Sequence, residues 1–408
     1  MMKRFIFGVL AASVFFSFND AMAYELTPRL SLSLAEEYND NIRLTRENRE
    51  SDFITRISPG LDLSLRLPKG EAGLGYAATF NRYSKNEGED STSHRFSGRG
   101  SFVLSERLTL SVSDVFVKSR ETIDTIGVVG YHWSPWFTVI GPQGVPVGSV
   151  RFEEPTLGLI REKRELTVNM INSTLSYQIN PQMAATLGLG YTSSDYEQDD
   201  ASDLRSPSAA LSLSYRIGER TTASANAKYT VFDYKGRSDA DSQDYTLGLS
   251  YKVSPTLDAN ASGGISLTEI DDTGRRSTGF TGGVSLTKRY ERGAATVGFR
   301  QAVISGVSDG EPLRSQAYTF RVTRELAERW KGGVFLSFTK YKSLETASRK
   351  TDELRAGGDL SYRILPWADA ALSYSYARLD DKINDSGDYY NHIVLFTVRV
   401  SYERKMQF

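Results

Sequence analysis

From about residue 28 to the C-terminus, apolar and polar residues alternate with a period of two. Ala185, Leu187, Leu189 and Tyr191 alternate with Thr186, Gly188 and Gly190, and Leu61, Leu63, Leu65 and Leu67 alternate with Asp62, Ser64 and Arg66. The pattern returns at Leu247, Leu249, Tyr251 and Val253, and again at Val394, Phe396, Val398, Val400 and Tyr402. Successive side chains of a strand point to opposite faces, so each run predicts a strand with one apolar and one polar face. Beyond the first two dozen residues no run carries the 3.6-residue stripe of an amphipathic helix, and the predicted class is all-β.

A repeat organises these strands. Leu-Ser-Tyr, a basic or amide residue, then Ile or Val recurs at 175–179, 213–217, 249–253 and 360–364. Each copy runs into a tight turn: Asn180-Pro181-Gln182, Gly218-Glu219-Arg220, Ser254-Pro255-Thr256 and Leu365-Pro366-Trp367. Each following strand opens at its far end into a longer polar loop, such as Asp195 to Ser206 or Lys235 to Asp244. A β-propeller also repeats on this scale, but its blade needs four strands in about 40 to 45 residues, and here the unit holds two long ones. Short turns at one end and long loops at the other are the pattern of an outer-membrane barrel, with the short turns periplasmic. Tyr177, Tyr215, Tyr251 and Tyr362 then fall in the periplasmic aromatic girdle. Tyr83, Tyr191, Tyr234, Tyr341 and Tyr376 fall in the outer one.

The prediction is therefore a transmembrane antiparallel up-and-down β-barrel of about 18 strands, within a range of 16 to 20, from Pro28–Tyr38 to Tyr390–Tyr402. A barrel of that size encloses an aqueous lumen, whereas one of eight strands is filled by its own side chains. Residues 118–165 read as one long loop, extracellular or folded into the lumen, in which Val145–Ile160 is long enough for a further hairpin. It carries Trp133 and Trp136 among Pro135, Pro142, Pro146 and Pro155. Proline removes ladder donors, so a central strand is disfavoured there, and Trp133 and Trp136 are the candidate constriction residues. An ordinary outward loop fits this segment equally well.

Counting back in twos from Phe408 gives Met406, Arg404, Tyr402, Val400, Val398 and Phe396, with Arg404 the one interruption. This strand resembles the C-terminal signal read by bacterial barrel-assembly machinery, with Tyr402 and Phe408 as its aromatic positions. The other end has the form of a signal peptide. Lys3 and Arg4 precede an apolar run from Phe5 to Phe18, and Ala21-Met22-Ala23 supplies the cleavage pattern, so 1–23 is expected to be removed after Ala23. That run is shorter than the roughly 20 residues of a transmembrane helix. Bacterial outer membrane is the expected location.

Composition adds little beyond this. Mean hydropathy is negative, as it is for a barrel whose strands are apolar on one face only. The chain has no Cys, and a net charge of −1 offers no argument for nucleic acid.

The strand parity defines a second face. Opposite the apolar residues stand Arg56, Arg66, Arg95, Arg99, Arg216, Lys228, Lys252, Arg300, Arg321, Arg355, Arg363 and Arg399, with Glu37, Asp62, Asp258, Asp359, Asp369 and Glu403. The predicted channel lining is Arg56, Arg66, Arg95, Arg99, Arg300, Arg321, Arg355, Asp359 and Arg399. A wall richer in cations lowers the barrier to anions, an advantage that cross-strand pairing reduces. The loops Glu87–Asp90, Asp195–Asp203, Asp239–Asp244, Glu269–Asp272 and Asp380–Asp388 are acid-rich. They read as solvated loops sooner than as cation bridges to lipopolysaccharide phosphates, and none has the spacing of an EF-hand. His94, His132 and His392 are scattered, with no spaced Ser or Asp, so neither an enzyme nor a metal or cofactor site is expected. No strand face stands out as a flat subunit contact.

Near the N-terminus, Glu37-Tyr38-Asn39-Asp40-Asn41-Ile42 and Glu50-Ser51-Asp52-Phe53-Ile54-Thr55-Arg56-Ile57-Ser58-Pro59-Gly60-Leu61 resemble the opening of the β-barrel porin 2 family. The likeness covers about forty residues. Physically, Asn39-Asp40-Asn41 should end the first strand through Asx hydrogen bonds. Ser58-Pro59-Gly60 should kink or bulge the second. The resemblance implies an outer-membrane conduit for exopolysaccharide, of the kind linked to PEP-CTERM exosortase systems, working with a periplasmic polysaccharide-export protein. A general diffusion porin and a non-conducting structural barrel are the alternatives. In each case outer-membrane lipids, lipopolysaccharide and the barrel-assembly machinery are the expected partners.

Overall fold

The structure is a computed structural model that describes residues 25–120, 165–197, 203–271, 274–306, 311–345, 350–382 and 388–408, with the backbone alone of 136–140 and 146–151. Its strands are β1 (Glu25–Asn39), β2 (Asp52–Leu67), β3 (Gly70–Tyr83), β4 (Ser91–Ser105), β5 (Leu108–Ser119), β6 (Trp136–Ile140), β7 (Pro146–Arg151), β8 (Leu166–Asn180), β9 (Met183–Tyr196), β10 (Leu204–Arg216) and β11 (Thr221–Tyr234). There follow β12 (Ala240–Ser254), β13 (Leu257–Ile270), β14 (Arg275–Tyr290), β15 (Gly293–Gly306), β16 (Glu311–Ala327), β17 (Trp330–Ser343), β18 (Lys350–Leu365), β19 (Ala368–Asp381), β20 (Tyr389–Glu403) and β21 (Met406–Gln407). A single 3₁₀ turn at Glu87–Glu89 is the one helical element among the described residues.

Each strand of the main sheet pairs antiparallel with its neighbour, and β1 pairs with both β2 and β20. This closes the sheet into an 18-stranded barrel. Closure gives each of the eighteen long strands a neighbour on both sides, where an open sheet would leave two edges. The short β21 continues the register of β20 against β1: Glu403 faces Arg29, Met406 faces Leu26 and Gln407 faces Glu25. The parity counted back from Phe408 therefore runs unbroken into β20. The hairpin β6–β7 forms a separate two-stranded sheet and adds nothing to the barrel.

Two-residue turns, as at Pro68–Lys69 and Glu106–Arg107, and one of four residues at 217–220 join the strands at one end, and longer connections join them at the other. The four Leu-Ser-Tyr copies end β8, β10, β12 and β18 at the short-turn end. β1 stops at Asn39, whose Oδ1 accepts the Asn41 amide at 3.0 Å, the Asx bond expected there. No bulge forms at Ser58-Pro59. The β2–β3 ladder omits these two pairs but holds its register, with Ile57 opposite Phe80 and Gly60 opposite Ala77. The hydroxyls of Ser58 and Thr79 bridge the gap at 2.9 Å, so hydrogen bonding across the sheet survives the missing proline donor.

The two faces differ as alternation demands. Outward residues such as Leu32, Leu61, Leu187, Leu247, Val284 and Phe396 are exposed. Across the inner face, hydroxyls and amides pair between strands: Ser93 with Ser119, Ser176 with Thr186, and Ser212 with Asn226. Tyr177, Tyr215, Tyr251 and Tyr362 lie outward at the short-turn end, and Tyr191 and Tyr376 outward toward the long loops. Tyr83, Tyr234 and Tyr341 do not join that girdle. They share the inward face of their strands and are buried at 3%, 2% and 9% exposure, because the outer half of the interior is packed rather than empty.

Candidate functional site

The interior has two unlike halves. From the short turns up to mid-height, inward side chains including Arg66, Lys228, Lys252, Arg300, Arg321 and Asp359 are exposed to solvent. Toward the long loops, inward polar side chains are sealed: Glu37 and Asn81 are 0% exposed and Arg56 2%. Arg56 donates to Glu37 Oε2 from both Nε (3.1 Å) and Nη2 (2.8 Å), and to Asn81 Oδ1 from Nη1 (2.7 Å). A buried charge pair of this kind needs its remaining lone pairs and protons satisfied, and the third bond to Asn81 does so.

The ends of β15, β16 and β17 close the long-loop end. The β14–β15 ladder runs only from Tyr290–Gly293 to Gly282–Gln301. Beyond it β14 still pairs with β13 as far as Arg275, and β15 with β16 as far as Gly306. The wall is thus split between β14 and β15 over its outer part. At the base of the split, the lost ladder bonds are replaced by side chains. Gln301 Nε2 donates to the Phe280 carbonyl at 2.8 Å, and Gln316 Nε2 donates to Gln301 Oε1 at 2.7 Å. Gly282 sits at the base with φ of 142°, in a conformation that other residues rarely adopt.

Past the split, β15 and β16 pass inside the barrel. Val303, of outward parity on β15, packs against Leu204, Phe232, Tyr234, Ala240 and Ile270, which project inward from β10 to β13, and Leu344 joins the same cluster. Arg314, of outward parity on β16, donates to the hydroxyl of Ser277 on the inward side of β14 at 3.1 Å. Outward side chains that meet inward ones place this hairpin within the wall. On the other face of this wedge, Leu313 and Tyr341 form a second cluster with Leu379 of β19 and Tyr389 of β20, and Ile304 and Leu44 pack against it. Leu44 belongs to the β1–β2 connection, which itself turns inward: Asn41 Nδ2 donates to the carbonyls of Thr45 and Tyr390, and Ile42 packs on Ile54 and Tyr83. Two apolar clusters, one on each face of the wedge, pack the interior at this end among the described residues.

Every basic and acidic residue that strand parity assigned to the inner face is there by register, from Arg56 opposite Asn81 to Arg399 opposite Ser33. Arg95 and Arg99 face inward from β4, Arg300 from β15, Arg321 from β16, and Arg355 and Asp359 from β18. Parity counting passed over several inward acids. Asp244 lies opposite Lys228 at mid-height, and in the sealed half Glu353 is ion-paired with Arg355 and Glu311 accepts from Ser343. On the exposed inner face cations still outnumber acids, although Arg289 pairs with Asp258, Arg29 with Glu403 and Lys331 with Glu325. Trp133 lies outside the described residues, and Trp136 is seen only as backbone opposite Arg151. His94 and His392 face outward, each with its Nδ1 against a tyrosine hydroxyl, Tyr76 and Tyr374. Among the described residues no group of three metal-ligating side chains exists.

The connections carry charge of their own. Asp90 accepts the Tyr83 amide at 2.8 Å and pairs with Arg82, and these contacts hold its carboxyl below the usual aspartate range. At the rim Glu165 is held low by Lys118, while Glu197, hydrogen-bonded to Glu165, is pushed up.

No protein-family model matches the sequence, and no curated protein matches it. The resemblance to the β-barrel porin 2 family thus gains no support. Among solved structures, the chain is similar to OpdK of Pseudomonas aeruginosa with vanillate (11% identity, TM-score 0.49, 92% of this chain and 99% of that one). It is also similar to OccAB4 of Acinetobacter baumannii (11%, 0.49, 93% and 98%). A third is OccK2 (OpdF) of P. aeruginosa with glucuronate (10%, 0.48, 92% and 98%). At this distance the likeness carries nothing about solutes, and the closed antiparallel barrel stands on its own strand ladder.

Proposed function

We propose that the protein is an outer-membrane channel for small polar solutes, with anions favoured, held shut at its extracellular mouth by the β15–β17 wedge. The observation that carries this is the solvent-exposed inner face from the short turns up to mid-height, where Arg66, Lys252 and Arg321, with Lys228 and Arg300 at mid-height, outnumber exposed acids below a packed outer half. A cation-rich lining lowers the electrostatic barrier to anions. An outward face of leucine and aromatic residues is what a barrel presents to lipid. In this reading residues 1–23 are the export signal, and Tyr402 and Phe408 address the chain to the barrel-assembly machinery. Outer-membrane lipid and lipopolysaccharide surround it.

Export of exopolysaccharide is not supported. No family model carries the resemblance that implied it, and a polymer needs a lumen open over its whole height. The closed mouth gives one competing reading, a non-conducting structural barrel. Reversal potentials of the purified protein in planar bilayers under a KCl gradient test the proposal. Chloride-favouring conductance, in the native protein or after the wedge is loosened, supports it. Cation-favouring conductance, or none in either case, refutes it.

A further inference from the structure

The outward face carries no acid or base over its middle height except at one place. Every other outward acid or base of the described strands lies within three residues of a strand end, as do Glu36, Lys340 and Arg378. Asp114 stands five residues from the end of β5 and is exposed. Its Oδ1 accepts from Asn169 Nδ2 of β8 at 2.8 Å. Ser173, two outward positions further along β8, extends the polar strip. Beside it lies a groove of about 280 Å³ floored by Gly98 and walled by Leu61, Leu74, Tyr76, Phe96 and Phe116.

We propose that this strip is the contact face of a two-fold dimer, with a second copy of this chain as its occupant. The proposal rests on the barrel being membrane-embedded. Acyl chains offer no hydrogen bond, so a carboxylate and a carboxamide at mid-height have their remaining capacity met only by protein. The Asn169 bond uses one carboxylate oxygen of Asp114 and one N–H of Asn169. The second oxygen and the second N–H stay available on the same edge. A donor beside an acceptor is self-complementary under a two-fold axis along the membrane normal, each Asp114 accepting from the partner's Asn169. Gly98 and its groove let the two walls approach closely.

The chain has no cysteine, so a single Ser173→Cys variant reports the contact directly. Oxidised in intact outer membranes, it should form a disulfide-linked species of twice the protomer mass. The native protein in mild detergent should show the same copy number by native mass spectrometry. An Asp114→Leu/Asn169→Leu variant should be monomeric while keeping its heat-modifiable mobility on gels. A native protein that is monomeric by both measures overturns the proposal. So does a double variant that stays dimeric, any copy number other than two, or an adduct with a different protein. Outer-membrane fractionation of each variant reads the membrane assignment separately, so loss of the dimer is not confused with loss of the barrel's location.

Discussion

Loosening the wedge should open the channel. Leu313 on the wedge and Leu379 on the wall are 3% and 1% exposed and belong to one cluster. Truncating a buried leucine to alanine costs about 2 to 5 kcal/mol. Two residues in one cluster do not add fully, so about 3 kcal/mol is a fair figure for Leu313→Ala with Leu379→Ala. The contact exists only when the wedge is seated, so this loss falls on the closed state alone. At about 1.4 kcal/mol per tenfold change, the open-to-closed ratio should rise on the order of a hundredfold. Single-channel recording measures it: rare openings in the native protein should become frequent in the variant, with conductance per opening unchanged. A variant that keeps its heat-modifiable fold but opens no more often than the native protein refutes the wedge as the gate.

Three further outcomes follow from the same geometry. Arg56→Met leaves Glu37 buried without its cation and should cost about 3 to 5 kcal/mol in denaturant unfolding, while Arg56→Met with Glu37→Leu should recover most of it. Gly282→Val meets both a φ of 142° and a Cβ position 2.4 Å from the Ser262 carbonyl. It should lower the unfolding temperature, whereas Gly218→Ala, with open space around it, should not. Asp90 has its folded-state pKa below the unfolded value, so its contribution is present above the ordinary aspartate range and is lost as pH falls through the depressed value. The protection of the Tyr83 amide, its exchange taken relative to the intrinsic rate at each pH, should therefore fall in strong acid and stay level between pH 5 and 8, and Asp90→Ala should remove that dependence.

Much of this architecture is legible in the alternation alone. One parity, carried from Phe396 to Leu32 to Leu61, separates the outward face from the inward one on every strand, because a two-residue period leaves no third option. The packed outer half of the interior is harder to read, for a physical reason. Inward parity reads as polar, and it locates acids and bases such as Arg56 and Asp359. Yet the inward positions nearest the long loops turn apolar: Ile54, Leu204, Phe232, Ile270, Leu313 and Leu379. That switch is itself a sequence signal, since an apolar residue on a water-facing wall needs something to pack against. Tyr83, Tyr234 and Tyr341 were assigned to a girdle because position along a strand was weighed without parity. The split at Gly282 depends on which ladder bonds fail, and its trace in the alternation is slight: Gln301, polar in outward parity between Phe299 and Val303. Asp114 is visible in the sequence as a break in the apolar parity of β5, but its partner Asn169 is brought beside it only by the β5–β8 register.

In the proposed channel the lumen is open toward the periplasm and shut toward the outside. Asn260 lies on the exposed inner face, and Asn260→Cys would be the only thiol in the chain. Intact cells exposed to a membrane-impermeant maleimide should leave this thiol unlabelled in the native background and label it rapidly when Leu313→Ala and Leu379→Ala are added. Equal labelling in the two backgrounds would contradict the closed mouth.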